Sequence, residues 1–391
     1  LIAAELSVGC DCVWGMPFAD ELIGAGVVKA LARALAVAAP DRRWPSVRRS
    51  AAQLAPLGLS ERARAIRDAL LADGPADYRE FATLIRRALE QEEFTGWMIW
   101  PVTEAIAALA TVSFEDAMSP HSGGPAMFED GLALLAELTP RLTSEFAIRT
   151  FLVADLDRTL AVVRGWPADP DPHVRRLASE GTRLRLPWAR RVPALTARPE
   201  ATIPVLDQLY TDDSEYVRRS VANHLNDLSR LDGDLAVQTA ARWSAASAAP
   251  ETARLVRHAL RTLIKQGHPG ALALLGFAPP TGLLISGPEL AVATVRLGGE
   301  LSFTVDVSNP GPESQRIAVD YVVHYRKANA SLAPKVFKLT VKELAPGERL
   351  SLARRVSFAP ISTRRYYPGE HALEVQVNGA ASGRVPFELV G

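Results

Sequence analysis

Cysteine is nearly missing: Cys10 and Cys12 are the two in 391 residues. They cannot staple a fold of this size or complete a four-cysteine iron–sulfur cluster, and a reducing cytoplasm is the expected compartment. No run approaches roughly eighteen uncharged apolar residues, so no membrane span is expected. Before residue 300, lysine occurs only at Lys29 and Lys265. Three common catalytic layouts are missing: a Gly-rich phosphate loop ending in Lys, His-Glu-x-x-His and Gly-x-Ser-x-Gly. The seven histidines are scattered without metal-ligand spacing, so neither a metal nor a cofactor is expected.

Net charge is also absent, with 44 basic and 44 acidic residues. The balance is uneven along the chain. Residues 16–171 carry an excess of six acids, 172–270 an excess of five bases and 271–391 an excess of three bases. The second half can therefore hold a polyanion that the whole-chain charge conceals, and its arginines suit phosphate forks. Apolar residues at 48% and charged residues at 23% describe an ordinary globular chain of two or three domains.

Residues 1–15 (LIAAELSVGCDCVWG) look foreign to the rest of the chain and are expected to be a disordered or non-native leader ahead of Met16. They lack the basic start of a signal peptide. From about residue 20 to 275, apolar residues recur at three and four, as in Val28, Leu31, Leu35 and Leu132, Leu135, Leu138. That spacing predicts helices. The segment Ser119–Pro125 reads as a loop between two of them.

A repeat is embedded in this region. Asp-Pro-Asp-Pro-His-Val174-Arg-Arg resembles Asp-Asp-Ser-Glu-Tyr-Val217-Arg-Arg, with further copies at Val47-Arg-Arg and Val256-Arg257. A period near forty residues predicts stacked helical pairs of the HEAT type, because one pair cannot bury its apolar face alone. The Arg pairs form either a basic concave wall or an ordinary solvated face. Trp97 and Trp100 are expected in the core.

After Phe277 the period changes to two: Leu301–Val307, Ile317–Val323, Val336–Val341, Ala372–Val377 and Val385–Leu389 alternate, separated by Pro- and Gly-containing turns. An immunoglobulin-like β-sandwich over 281–391 is predicted, without a disulfide. The fold class is thus a HEAT-like α-helical solenoid over 16–277 followed by that sandwich.

Several acids lie among the helical arginines. Glu145 precedes Arg149 by four, Glu180 follows Arg176 by four, and Asp227 shares a helical face with Asn223, Ser220 and Arg219. By spacing alone, ordinary i,i+4 ion pairs account for these acids better than chemistry does. The runs TPRLTSEFAIR (139–149), DPDPHVRRLASEGTRLRLPWA (169–189) and DDSEYVRRSVANHLND (212–227), with FTGWMIWPVTEA (94–105) and RRYYPGEHALEVQVNG (364–379), resemble the AlkC branch of bacterial alkylpurine DNA glycosylases. The likeness extends over residues 16–391.

The resemblance implies a monofunctional DNA glycosylase that removes small cationic bases, chiefly N3-methyladenine, from duplex DNA without full base flipping. It implies catalytic roles for Glu145, Glu180 and Asp227 and lesion contact by Trp188. A cationic base is already activated to leave, and carboxylates near the sugar stabilise the positive charge that develops as the bond breaks. With no Lys between residues 30 and 264, Schiff-base chemistry is not expected. Arg149, Arg176, Arg183, Arg219 and Asn223 are the expected DNA contacts of the helical face, and Arg364, Arg365 and Tyr366 those of a minor-groove loop on the sandwich. The expected partner is alkylated double-stranded DNA, bound by a monomer with no membrane and no obligate protein partner. Two rivals stay open: a non-catalytic HEAT-repeat binder of bent or branched DNA, and a protein-interaction module.

Overall fold

A computed structural model describes residues 19–112, 125–362 and 364–391. The expected leader, with Cys10 and Cys12, and residues 119–124 of the expected loop lie outside the described residues. The chain divides into two compact units. One runs to Asp232 and includes Arg242–Ala259; the other joins Gly233–Ala241 to Leu260–Gly391.

The first unit is helical. Six of its helices matter for function: α1 (Leu59–Asp73), α2 (Ile99–Val112), α3 (Ile148–Ala154), α4 (Pro172–Glu180), α5 (Glu215–Leu228) and α6 (Pro250–Ala259). Helix α1 packs on α2, α2 on α3, α4 on α5 and α5 on α6. The four repeat valines, Val47, Val174, Val217 and Val256, are all buried. In α5 the buried stripe Val217, Val221, Leu225, Leu228 follows the helical period. Helix α4 starts where the Asp171 carboxylate accepts from His173 N at 2.7 Å, with Pro172 at the first helical position. It ends at Gly181, where a Cβ would lie 2.7 Å from Ile148 Cγ2 and 2.9 Å from the Leu177 carbonyl oxygen. Glycine there lets α3 approach the end of α4.

The repeat arginines form no simple basic wall. Arg175 donates to the carbonyls of Asp169 and Pro170, and Arg218 to those of Asp212 and Asp213. The first Arg of each pair thus folds back on the turn before its own helix. Arg175 also grips Asp212 of the next repeat at 2.7 Å.

The second unit contains two sheets. Strands β1 (Leu284–Leu290), β3 (Glu300–Ser308) and β6 (Arg349–Ser357) form one, in the order β1-β3-β6. Strands β2 (Thr294–Arg296), β4 (Gln315–Arg326), β5 (Leu332–Leu344), β7 (Gly369–Val377) and β9 (Val385–Val390) form the other, in the order β2-β9-β7-β4-β5, with β8 (Ala380–Ala381) beside β7. Their apolar faces meet in a core that includes Leu301, Phe303, Val305, Val319, Tyr321, Val323, Val375 and Phe387. All five expected strands are present. The helical residues from Leu260 onward cluster with this unit rather than with the repeats. Backbone packing explains it: a Cβ at Gly267 would lie 2.7 Å from Gly379 Cα, and Asn378 donates to the Ala278 carbonyl at 2.7 Å.

Candidate active site

Glu145, Glu180 and Asp227 come from three different elements and meet around two guanidinium groups. Glu145 sits in the turn before α3, Glu180 is the last residue of α4, and Asp227 lies in the last turn of α5. Arg176 donates to Glu145 Oε2 at 2.9 Å and lies 3.7 Å from Glu180 Oε2. Arg183 donates to Glu180 Oε1 at 2.6 Å and, through Nε, to Asp227 Oδ2 at 2.9 Å. The resulting chain is Glu145–Arg176–Glu180–Arg183–Asp227. All five residues are buried.

Neighbouring hydroxyls complete the arrangement. Thr143 Oγ1 donates to Glu145 Oε2 at 3.0 Å, and Ser220 Oγ donates to Glu180 Oε2 at 2.6 Å. His224 bridges the layers, with Nδ1 2.8 Å from the Ser179 carbonyl and Nε2 3.1 Å from Thr202 Oγ1. Burial pushes His224 down to about 4, so the ring is neutral at neutral pH. The Tyr216 ring lies 4.8 Å from the Arg176 guanidinium carbon, a cation–π contact.

The three acids do not titrate alike. Burial pushes the Glu145 carboxyl up, and the negative charge of Glu180 adds to that against the opposing pull of Arg176. Burial likewise pushes Asp227 up, partly opposed by Arg183. For Glu180, burial is outweighed by Arg176 and Arg183, which hold it below the usual carboxylate range. Within the ion-paired set, three carboxylates against two guanidiniums leave one net negative charge. Buried charges of this kind are weak stabilisers at best, since desolvation offsets their attraction.

The expected Glu145–Arg149 pair is not formed, because Glu145 precedes the helix and turns to Arg176. Arg149 was expected to contact DNA, but it is buried in the fold and faces backbone carbonyls instead of a phosphate. Its guanidinium donates to the carbonyls of Gly181, Arg183 and Arg190. Burial, then Arg191, Arg183 and Arg190, bring it down to about 10. Arg176 and Arg183 are likewise committed to carboxylates inside the site, so their expected phosphate contacts do not fit either. Arg219 is half-buried on α5, and Asn223 accepts or donates at 3.0 Å with His258 Nε2.

The loop that Arg149 holds carries Trp188. This residue is 51% exposed and has a backbone φ of 61°. Arg185, Arg190 and Arg191 flank it, all exposed. They are better placed for an anionic partner than the buried arginines, and the run Arg185-Leu-Pro-Trp-Ala-Arg-Arg191 was the signal for them. Trp100 is buried, as expected, and stacks on Phe146 with centroids 4.3 Å apart.

On the sandwich, the basic aromatic loop packs inward. The Arg364 guanidinium carbon lies 4.3 Å from the Tyr325 ring centroid, and Tyr366 packs against the core beside Phe358. Arg364 and Tyr366 are thus tied to the sandwich, which corrects their expected role as DNA contacts of a minor-groove loop; Arg365 is exposed. Among the described residues, no group of three or more His, Cys, Asp or Glu side chains is arranged to hold a metal, and no helix is long and apolar enough to cross a membrane.

Comparison with known proteins places this geometry in context. A family model described as "uncharacterised protein YhaZ, C-terminal Ig-like domain" matches residues 284–391. The uncharacterised protein YhaZ of Bacillus subtilis is 33% identical over 333 residues, 85% of this chain and 88% of that protein. A solved structure of the Pseudomonas fluorescens alkylpurine DNA glycosylase AlkC, bound to DNA containing an abasic site analog, is 33% identical. It superposes with a TM-score of 0.79 over 96% of this chain and 100% of that one.

Proposed function

The chain belongs to the family of AlkC and YhaZ, and from that premise we propose that it is a DNA repair glycosylase. Its substrate is a small cationic alkylated base, chiefly N3-methyladenine, in duplex DNA, and its reaction is hydrolysis of the N-glycosidic bond without full base flipping. The observation that supports this reading is the buried cluster of Glu145, Glu180 and Asp227 on Arg176 and Arg183.

The chemistry follows from charge. A cationic base leaves as a neutral molecule, so no strong general acid is needed. Positive charge then develops on the deoxyribose, and fixed negative charge nearby lowers that barrier. Glu180, held below the usual range, is ionised and supplies this charge. Asp227, raised by burial, is the more basic carboxylate and orients the attacking water. Arg176 lies between Glu145 and Glu180 and Arg183 between Glu180 and Asp227, and they oppose the rise that burial imposes on Glu145 and Asp227 respectively. The cluster's net negative charge also selects a cationic base over a neutral one.

Trp188 packs against the lesion nucleotide. Exposed Arg185, Arg190 and Arg191 hold phosphates around it, and half-buried Arg219 and exposed Arg365 supply further phosphate contacts. The reading is tested by incubating the protein with methylated duplex DNA and identifying released bases by chromatography. Free N3-methyladenine is expected. Salt-sensitive duplex binding without any released base favours the non-catalytic DNA binder instead.

A further inference from the structure

Arg149 is a buried cation that faces no acid. It is 1% exposed, and its guanidinium bonds the neutral carbonyls of Gly181, Arg183 and Arg190. Among the described residues it forms no ion pair. Burying a charge against neutral partners is unfavourable, and the nearby Arg191, Arg183 and Arg190 add repulsion. A neutral amide would hold one or two carbonyls without that penalty. The fold alone does not account for a guanidinium at this place.

What it holds does. Residues 181–190 run between α4 and the short helix Pro193–Ala197, outside regular structure. The backbone bonds of this segment are long, at 3.3 Å from Arg183 N to the Glu180 carbonyl and 3.4 Å from Ala189 N to the Leu186 carbonyl. Buried Leu184 and Leu186 anchor it by apolar contact, which does not fix the direction of its peptide groups. Arg149 fixes three of them, because a guanidinium presents its donors in a rigid fork.

Two of the groups that serve Asp227 come from the same segment. Arg183 donates to it through Nε at 2.9 Å, and the Arg185 backbone N–H hydrogen-bonds it as well. Both favour the ionised carboxylate. The Arg183 carbonyl is itself held by Arg149 at 2.9 Å, so one residue carries both the clamp and the bridge to the acid. We propose that Arg149 is a positioning residue for the reaction: by holding the carbonyls of residues 181, 183 and 190 it sets the Arg183 guanidinium and the Arg185 N–H on Asp227. The proposal rests on the glycosylase reading and deepens it. Arg149 touches neither DNA nor the reacting atoms; it acts through the segment.

Arg149→Lys keeps the charge and replaces the rigid fork with a flexible ammonium. In single-turnover assays on methylated duplex it is expected to slow base release by about 10- to 100-fold. The duplex concentration giving half the maximal rate is expected to stay within about threefold of wild type. Arg149→Gln is expected to slow release at least as much. Thermal melts set an assay temperature at which every variant is folded. The deciding readout is a double-mutant cycle with Asp227→Asn. In that background Arg149→Lys is expected to slow release by less than about threefold further, because the group it positions is already lost. A role in the fold alone gives the same factor in both backgrounds. Wild-type release by Arg149→Lys, equal slowing in the two backgrounds, or failure of both Arg149 variants to fold overturns the proposal and leaves the glycosylase reading intact. Absence of base release from the wild-type protein removes that reading, and the positioning role falls with it.

Discussion

The two units bury polar groups for different ends. In the sandwich, buried Asn309 donates through Nδ2 to the carbonyls of Glu313 and Leu344, and Asn378 accepts from Ala318 N while donating to Arg316 and Ala278 carbonyls. Each ties backbone at a strand end to a neighbouring turn or strand, which is how buried polar side chains stabilise a fold. The helical unit buries, besides neutral groups, an ionic chain shared across three elements. An apolar replacement packs such a position at least as well. The contrast marks the ionic chain as a site, and the asparagines as scaffolding.

The largest effect that sharpens this contrast is on rate. Asp227→Asn is expected to slow base release by about 10²–10³, measured in single-turnover assays on methylated duplex. The sandwich's own buried acid, Glu374, paired with His324 at 2.8 Å, serves as the counterpart. Glu374→Gln is expected to leave the release rate within roughly twofold.

Stability effects come next. Asn309→Ala removes the buried hydrogen bonds to the Glu313 and Leu344 carbonyls and is expected to destabilise by about 1–3 kcal/mol, read from denaturant titration. Gly181→Val meets Ile148 and the Leu177 carbonyl and is expected to destabilise by about 1–3 kcal/mol and to displace Glu180.

The units also differ in their response to pH. His224 is pushed down to about 4 in the fold, against about 6.5 when unfolded. Its contribution is intact above about pH 6.5 and is lost as pH falls through about 4. Asp320 on β4 runs the other way. Burial pushes it up to about 6 from an ordinary 3.8, with Lys338 and Lys265 opposing. Its contribution is present below about pH 3.8 and lost as pH rises through about 6. Asp320→Asn is therefore expected to raise Tm at neutral pH and leave it unchanged near pH 3. An acid-limb gain instead contradicts the assignment. The smallest expected effect belongs to Arg219→Ala, which is expected to lower the salt slope of duplex binding by about one.

Much of this architecture was legible in the residues, and the illegible parts have physical causes. The repeat valines and five strands follow from period. Strand β1 did not, because Pro288 breaks its alternation at a register shift; β2 is only three residues long. Strand β6 has three exposed arginines, which dilute its pattern. In the site, Arg176–Glu180 was legible as a four-residue spacing. Glu145–Arg176 and Arg183–Asp227 were not, since no local spacing encodes a contact between repeats. Arg149 was misread because composition cannot tell a guanidinium facing solvent from one facing three carbonyls. The acids' roles came from resemblance to a family.

The central claim is that fixed charge at Glu180 acts on the reacting sugar rather than on the fold. Glu180→Gln keeps the shape and removes the charge. Its single-turnover base release and its affinity for methylated duplex are measured together, alongside a thermal melt. The account predicts a folded protein with near-wild-type affinity and release slowed by about 10² or more. Release at the wild-type rate from a folded Glu180→Gln protein contradicts it.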